Sequence, residues 1–267
     1  MQTWLDTCRA AADDVRRVLE ELPGRREREP VVGAGEGGDE TTAIDAAAEA
    51  AIARRLEGTG EDFLLVSEEL GERRFGSGGT RRVVVDPIDG SLNAKRGIPY
   101  FCLSIAVADG DTMKDVQFAF VYDFGSGEEW TARRGEGALL NGAPLGSQRP
   151  KDRIELLAFE ATLTSEVADK AAAFTGIAHR IRIMGSLALS LCHLAAGRLD
   201  AVCSLKPYRS VDVGAAQLLV LDRGLSIANV DGEEPFADAP LDLVARSRIA
   251  AAGTDELCQL VVSGLSA

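Results

Sequence analysis

Residues 83–101, VVVDPIDGSLNAKRGIPYF, run from a buried apolar segment into two carboxylates set three positions apart around a proline, then into a glycine and a hydroxyl. Val83, Val84 and Val85 form a short continuous apolar run, the pattern of a strand covered on both faces. Pro87 fixes its own φ and stiffens the turn, so Asp86 and Asp89 can converge on one point. Hard cations such as Mg²⁺ take oxygen ligands in a near-octahedral set, and this turn can offer Asp86, Asp89 and the Ile88 carbonyl together. Gly90 and Ser91 then open a helix whose first N–H groups suit a phosphate anion. Asp, Pro and Gly are also ordinary turn formers, so the stretch read in isolation is compatible with a plain loop.

Other acids share this address. Residues 63–66 form a second buried apolar run that ends in Ser67-Glu68-Glu69, and an exposed Gly/Arg/Ser loop is expected between the two runs. A first helix follows from Trp4, Leu5, Cys8, Ala12, Val15 and Leu19, and it stops at Leu22-Pro23-Gly24. The glycine-rich stretch 30–38, PVVGAGEGG, has no periodicity and reads as a mobile loop, after which a threonine caps a helix carrying Asp45 and continuing to Leu56. Residues 101–132 read as a meander of strands. The remainder alternates strands at 155–160, 180–184 and 201–205 with helices at 165–174 and 186–197. Asp212 is expected to cap a last sizeable helix reaching Leu221, before a closing strand and helix over 251–265. With no repeat and no Pro/Ser-rich seam, this pattern predicts a layered α/β sandwich, one unit over 1–267 with lobes near 1–150 and 151–267.

Composition narrows the chemistry. The chain has 267 residues, 46% hydrophobic, and its 42 acidic against 29 basic residues give a net charge of −13, which repels phosphate backbones and anionic lipid heads. No nucleic acid and no membrane is therefore expected as a partner. Five dispersed cysteines without a CxxC pair read as buried reduced thiols, and the amphipathic start lacks an apolar signal core, both of which suit a cytoplasmic protein. His179 and His193 are too few for a histidine-built zinc site or triad, and His193 lies inside an apolar helical pattern. Hydrolytic chemistry must come from carboxylates.

The stretches Val66-Ser67-Glu68-Glu69, 83–101, RRGEGALLNGAPL at 133–145, MGSLALSLCHLAAGRLDAV at 184–202 and KPYRSVDVGAAQLLVLDRG at 206–224 together resemble the inositol monophosphatase superfamily, in order, from about residue 5 to 265. The KPxxRxxD pattern and the Ser-Leu-Asn-Ala-x-x-Gly-Ile-Pro continuation resemble its archaeal-type branch, which hydrolyses both fructose 1,6-bisphosphate and inositol monophosphate. The resemblance implies a five-layer αβαβα sandwich, a homodimer, and a Mg²⁺-dependent, lithium-sensitive phosphomonoesterase holding two to three ions, with Mn²⁺ as a substitute. By motif, Glu68, Asp86 and the Ile88 carbonyl would hold a first ion, Asp86, Asp89 and Asp212 a second, and Glu68 and Asp45 would stand near a looser third. Asp45 and Ser91, with Glu68, would serve the attacking water. Gly90, Ser91, Gly185, Ser186, Lys206 and Arg209 would face substrate, with Lys95 and Arg96 as further cations for a second phosphate.

Departures accompany the match. Val211 stands where a tryptophan is usual, Gly224-Leu225 replaces a glycine pair, and Ser204 replaces an acid that touches inositol hydroxyls in relatives. Two other readings stay open at this level: a nucleotide phosphatase acting on 3′-phosphoadenosine 5′-phosphate or NADP, and a non-catalytic binding protein of the same fold.

Overall fold

The computed structural model describes residues 2–35, 40–77, 79–146, 151–232 and 234–267. Its organising element is the strand Arg82–Asp89, where successive valines face opposite ways: Val83 and Val85 enter one apolar core and Val84 another. This strand is central in an eight-stranded sheet, whose order is Ala143–Pro144, Gly137–Leu140, Glu129–Arg133, Val116–Asp123, Cys102–Ala108, Arg82–Asp89, Phe63–Ser67 and Gly71–Phe75. Phe63–Ser67 and Arg82–Asp89 run parallel, while the other neighbours pair antiparallel.

On the outer face lie the helices Gln2–Glu21 and Ala43–Glu57. Trp4, Cys8, Ala12 and Val15 recur at helical spacing on the first, and Ile44, Ala48, Ile52 and Leu56 on the second, all buried against Phe63, Leu65, Leu103, Ile105, Phe118 and Phe120. The inner face packs Val66, Ala106, Ala119, Val121 and Trp130 against the helices Leu187–Ala195, Ser210–Val213 and Ala216–Asp222. Those helices are apolar on most sides because a second sheet covers them from beyond. That sheet has five strands, ordered Ala178–Arg182, Ile154–Glu160, Ala201–Ser204, Ile249–Ala252 and Ser226–Asn229. Its far face carries Leu157, Phe159, Cys203 and Ala250 against the closing helix Asp255–Ser266. The layers are thus helix, sheet, helix, sheet, helix, the αβαβα sandwich that the resemblance implies. All five cysteines are buried and unpaired. His193 packs between the rings of Tyr100 and Trp130, as its apolar setting in the sequence indicates.

Three expectations need correction. The loop expected between the apolar runs contains a strand, Gly71–Phe75, antiparallel to Phe63–Ser67. Only its ends are buried; Glu72, Arg73 and Arg74 project from a sheet edge, so no alternation appears in the sequence, while Phe75 stacks on Phe63. The glycine-rich stretch includes the exposed strand Val31–Ala34, paired with Glu40–Thr42, whose Thr41 and Thr42 are buried; residues 36–38 of that stretch lie outside the described residues. Finally, Asp212 is not the cap residue of its helix but the third residue, closing a capping box. Arg209 holds the cap position, Asp212 lies in the first turn, and the expected long helix is broken at Gly214-Ala215. Gly214 packs against Val84 and Ala106 of the large sheet, and a Cβ there would fall 2.8 Å from the Ser210 carbonyl oxygen.

Candidate active site

The parallel strands Phe63–Ser67 and Arg82–Asp89 are in register to Ser67 opposite Val85, so Glu68 and Asp86 leave the sheet side by side. On its other side Asp86 pairs with Ser104 and Asp89 with Cys102, three steps against two, and the extra residue makes a bulge. Pro87 has no N–H for the ladder, so pairing yields there. Ile88 N donates to Asp86 Oδ1 at 3.0 Å, and Ser91 Oγ donates to the Ile88 carbonyl at 2.8 Å. Gly90 sits at φ +95°, and a Cβ on it would lie 3.0 Å from the Tyr100 carbonyl oxygen and 3.1 Å from that of Gly185. Only glycine fits this conformation beside two backbones. The contact also brings Gly185, which leads out of the small sheet, against the Asp86–Asp89 turn.

Asp89 is held at the start of the Leu187–Ala195 helix. Its Oδ2 accepts from Ser186 Oγ at 2.6 Å and from Ala188 N at 2.7 Å. Ser186 caps the Leu187–Ala195 helix, its Oγ accepting from Leu189 N at 3.2 Å, so the carboxylate meets the helix at its positive end. Asp212 arrives from the Ser210–Val213 helix, where its Oδ2 accepts from Arg209 N at 2.6 Å. The Arg209 guanidinium reaches both ways, 3.1 Å from Asp212 Oδ1 and 2.6 Å from Glu68 Oε1. Asp45, third in its helix, accepts from Thr42 Oγ1 at 2.5 Å in a capping box and stands 3.5 Å from Lys95 Nζ. Its second oxygen, Oδ1, is buried with no hydrogen-bond partner among the described residues.

Burial and mutual repulsion dominate the electrostatics. Burial, opposed by Arg209 and reinforced by Asp212, pushes Glu68 up to about 8. Burial, then the charges of Glu68, Asp89 and Asp212, raises Asp86 well above the carboxylate range. Asp89 rises to about 6, mainly through burial, with its bond to Ser186 holding it lower. Anionic groups that face one another in a dry setting and repel fit a divalent cation, and the donors are the carboxylate and carbonyl oxygens that Mg²⁺ favours. The orphaned Asp45 Oδ1 supplies one more acceptor. Among the described residues no three His, Cys, Asp or Glu side chains converge at ligand spacing. The shared electrostatics of Asp86, Glu68, Asp89 and Asp212 nevertheless mark a common site, and the wedge between Glu68 and Asp212 is the Arg209 guanidinium.

Gly90, Ser91, Gly185, Ser186 and Arg209 gather around this turn, whereas the expected cation Arg96 is drawn away from it. Arg96 is exposed and paired with Glu29 at 2.8 Å. Lys206 is half-buried, two residues beyond the Ala201–Ser204 strand. Ser204 is fully buried and accepts from Ile249 N at 3.0 Å, a core contact between strands.

Residues not singled out in the sequence complete the site. Glu160, buried at the end of its strand, accepts from Gly185 N at 2.8 Å and Ser190 Oγ at 2.6 Å, so it sets the Gly185-Ser186 turn. Asn93 ties the two sides of the turn, its Nδ2 donating to the carbonyls of Tyr100 and Met184, each at 2.8 Å. Glu49 accepts from Ser67 Oγ and braces the strand end that aims Glu68. Glu160 carries the same signature as Glu68, an acid ending a buried strand, and was legible on that ground.

A profile of the inositol monophosphatase family matches residues 2–265. A fructose-1,6-bisphosphatase/inositol-1-monophosphatase of Methanothermobacter thermautotrophicus is 33% identical over 98% of this chain and 96% of its own. The enzyme of the same name from Thermococcus kodakarensis is 30% identical over 98% and 97%. The solved structure of an inositol monophosphatase-fructose 1,6-bisphosphatase superposes with a TM-score of 0.83 at 26% identity, covering 98% of this chain and 99% of that one. By fold, motif order and full-length similarity, this chain belongs to the inositol monophosphatase family.

Proposed function

We propose that this protein is a Mg²⁺-dependent phosphomonoesterase of small sugar and polyol phosphates, fructose 1,6-bisphosphate and inositol monophosphate foremost. The observation that carries the reading is that Arg209 links Glu68, which follows the strand beside Asp86, to Asp212 of the helices between the sheets, next to the glycine-bearing Asp86–Asp89 turn. Their family membership and the shared names of the relatives support the same chemistry and do not favour a nucleotide phosphatase or a non-catalytic binding role.

Bound ions at this place would neutralise the phosphate, activate water and stabilise the leaving alkoxide. Glu68, Asp86, the Ile88 carbonyl, Asp89 and Asp212 are the groups assigned to hold them, two to three Mg²⁺ with Mn²⁺ as a substitute and Li⁺ as an inhibitor. Asp89 has one oxygen fixed by Ser186 and the Ala188 N–H, so the other is aimed rather than free to rotate. Asp45, with an unpaired oxygen, and Ser91 are assigned to align the attacking water and accept its proton. The water oxygen attacks phosphorus while its proton passes to Asp45, the ester P–O bond breaks opposite it, and the departing alkoxide takes its proton from a second water. Gly185 and Ser186 face the ester from the small-sheet side, and Lys206 is assigned to its outer rim. Because the two sheets supply one site, residues 1–267 are read as one phosphatase unit, a cytoplasmic homodimer.

Phosphate release from fructose 1,6-bisphosphate, inositol 1-phosphate, 3′-phosphoadenosine 5′-phosphate and NADP, with and without Mg²⁺, tests this. Mg²⁺-dependent turnover of the first two, faster than of either nucleotide, is expected. Turnover confined to a nucleotide, or none from a folded, metal-supplied protein, would overturn it.

A further inference from the structure

Two cations are built into the acid cluster. Arg209, whose side chain is 16% exposed, spans from Glu68 to Asp212 at 2.6 and 3.1 Å, while Lys95, 18% exposed, sits 3.5 Å from Asp45. Each therefore stands on acids assigned above to ions or water, and each belongs to a segment that also lines the substrate side. Arg209 occupies the cap position of the helix bearing Asp212, and Lys95 lies four residues beyond Ser91. A guanidinium between Glu68 and Asp212 and a divalent cation bound by the same two carboxylates exclude one another by charge and by space. Among the described residues no three acids converge at ligand spacing, and between Glu68 and Asp212 the Arg209 guanidinium stands in the gap.

We propose that Arg209 and Lys95 are resident counter-ions that divalent metal displaces: they hold the acid cluster together in the metal-free protein, and metal binding turns both toward the phosphate ester. Substrate is then gripped by these cations only once the metal is in place. This rests on the reading of the site as a metal-dependent phosphatase. The physical logic is exchange rather than addition. A buried acid cluster without a counter-charge is strongly unfavourable, so the cations make the empty site tolerable, and the metal must outcompete them. By linkage, whatever favours the metal also frees the cations, so metal and phosphate bind with positive coupling.

Calorimetric titration of the intact protein with Mn²⁺ tests this without a catalytic readout. Arg209→Ala, relieved of its competitor, is expected to bind Mn²⁺ about 10-fold more tightly, and Lys95→Ala, whose contact is longer, about 2- to 3-fold more tightly. Plain loss of a positive charge would also tighten binding, so a second arm separates the two. Free methylguanidinium should refill the Arg209→Ala cavity and weaken Mn²⁺ binding competitively, while leaving the unaltered protein unaffected. If Arg209→Ala fails to fold, Arg209→Gln carries the same titration. Unchanged or weaker Mn²⁺ affinity in the variant, or no competition by methylguanidinium, would overturn the proposal and make Arg209 a fixed brace. If the unaltered protein neither binds Mn²⁺ nor releases phosphate, the phosphatase reading falls and takes this proposal with it. Phosphate release with an unaltered affinity in the variant removes the counter-ion proposal alone.

Discussion

The Asp86–Asp89 turn and the Ser210–Val213 helix deliver acids to one site by different means. The first is fixed by covalent geometry: a proline bulge, a left-handed glycine and short local hydrogen bonds leave the two carboxylates little choice of direction. The second is placed by tertiary packing, and its acid is held by Arg209, its own neighbour in the chain. The difference teaches that half of this site is legible as local sequence and half exists only when the sheets meet.

Breaking the rigid half should have the largest effect. Asp86→Asn or Asp89→Asn is expected to lower phosphate release by ~1000-fold or more, since each removes a charge that the ions and the transition state need. The same substitutions relieve buried like-charge repulsion, so the metal-free variants should melt no lower than the parent. A steady-state assay paired with a melting curve checks both. Retention of near-normal turnover would remove the turn from the mechanism. Gly90→Ala should destabilise the fold by about 2 kcal/mol or more, because a Cβ there combines a strained backbone with two close backbone carbonyls. Denaturant unfolding measures this, and an unchanged midpoint would show that the lobes do not approach closely at that point.

The pH response sharpens the comparison. Glu68 at about 8 and Asp89 at about 6 lie above their ordinary values, so the metal-free native protein holds more protons there than the unfolded chain. Its stability from these groups is therefore present at the acid end and falls as pH rises through the window from about 4 to about 8. Metal binding requires the same carboxylates deprotonated, so the Mg²⁺ concentration for half-maximal activity should fall as pH is raised from 6 to 8. A Mg²⁺ requirement independent of pH in this window would contradict the assigned ligands.

The smallest effect is expected at Glu160, which touches neither ion nor ester in this account. Glu160→Gln keeps the shape but turns an amide toward one of the two donors, Gly185 N–H and Ser190 O–H, that now meet a carboxylate. KM should rise by about 3- to 10-fold with kcat largely kept, the sign of a residue that positions the substrate turn. Loss of kcat alone would place Glu160 in the chemistry instead.

Much of this was visible in the chain because it rests on local rules. A continuous valine run ending in Asp-Pro-Ile-Asp-Gly specifies a buried strand, a stop and a turn, and Thr42 with Asp45 specifies a capped helix. The Gly71–Phe75 strand was hidden because an edge strand with three consecutive charged residues has no apolar alternation to read. The break at Gly214 was hidden for another reason, since it serves contact with Val84 and Ala106, distant in sequence. Arg96 misled in a similar way: proximity in a motif does not fix direction, and Glu29 claims it. Arg209 was legible as a cation near the site, but its place between Glu68 and Asp212 depends on how the two lobes close.

Anomalous diffraction from Mn²⁺-soaked crystals tests the central claim, that acids from both lobes form one metal site, most directly. Mn²⁺ peaks are expected between Glu68, Asp86 and the Ile88 carbonyl and between Asp86, Asp89 and Asp212, with the Arg209 guanidinium turned out of the acid cluster. Peaks elsewhere, or none at these acids with Arg209 still bridging Glu68 and Asp212, would contradict it.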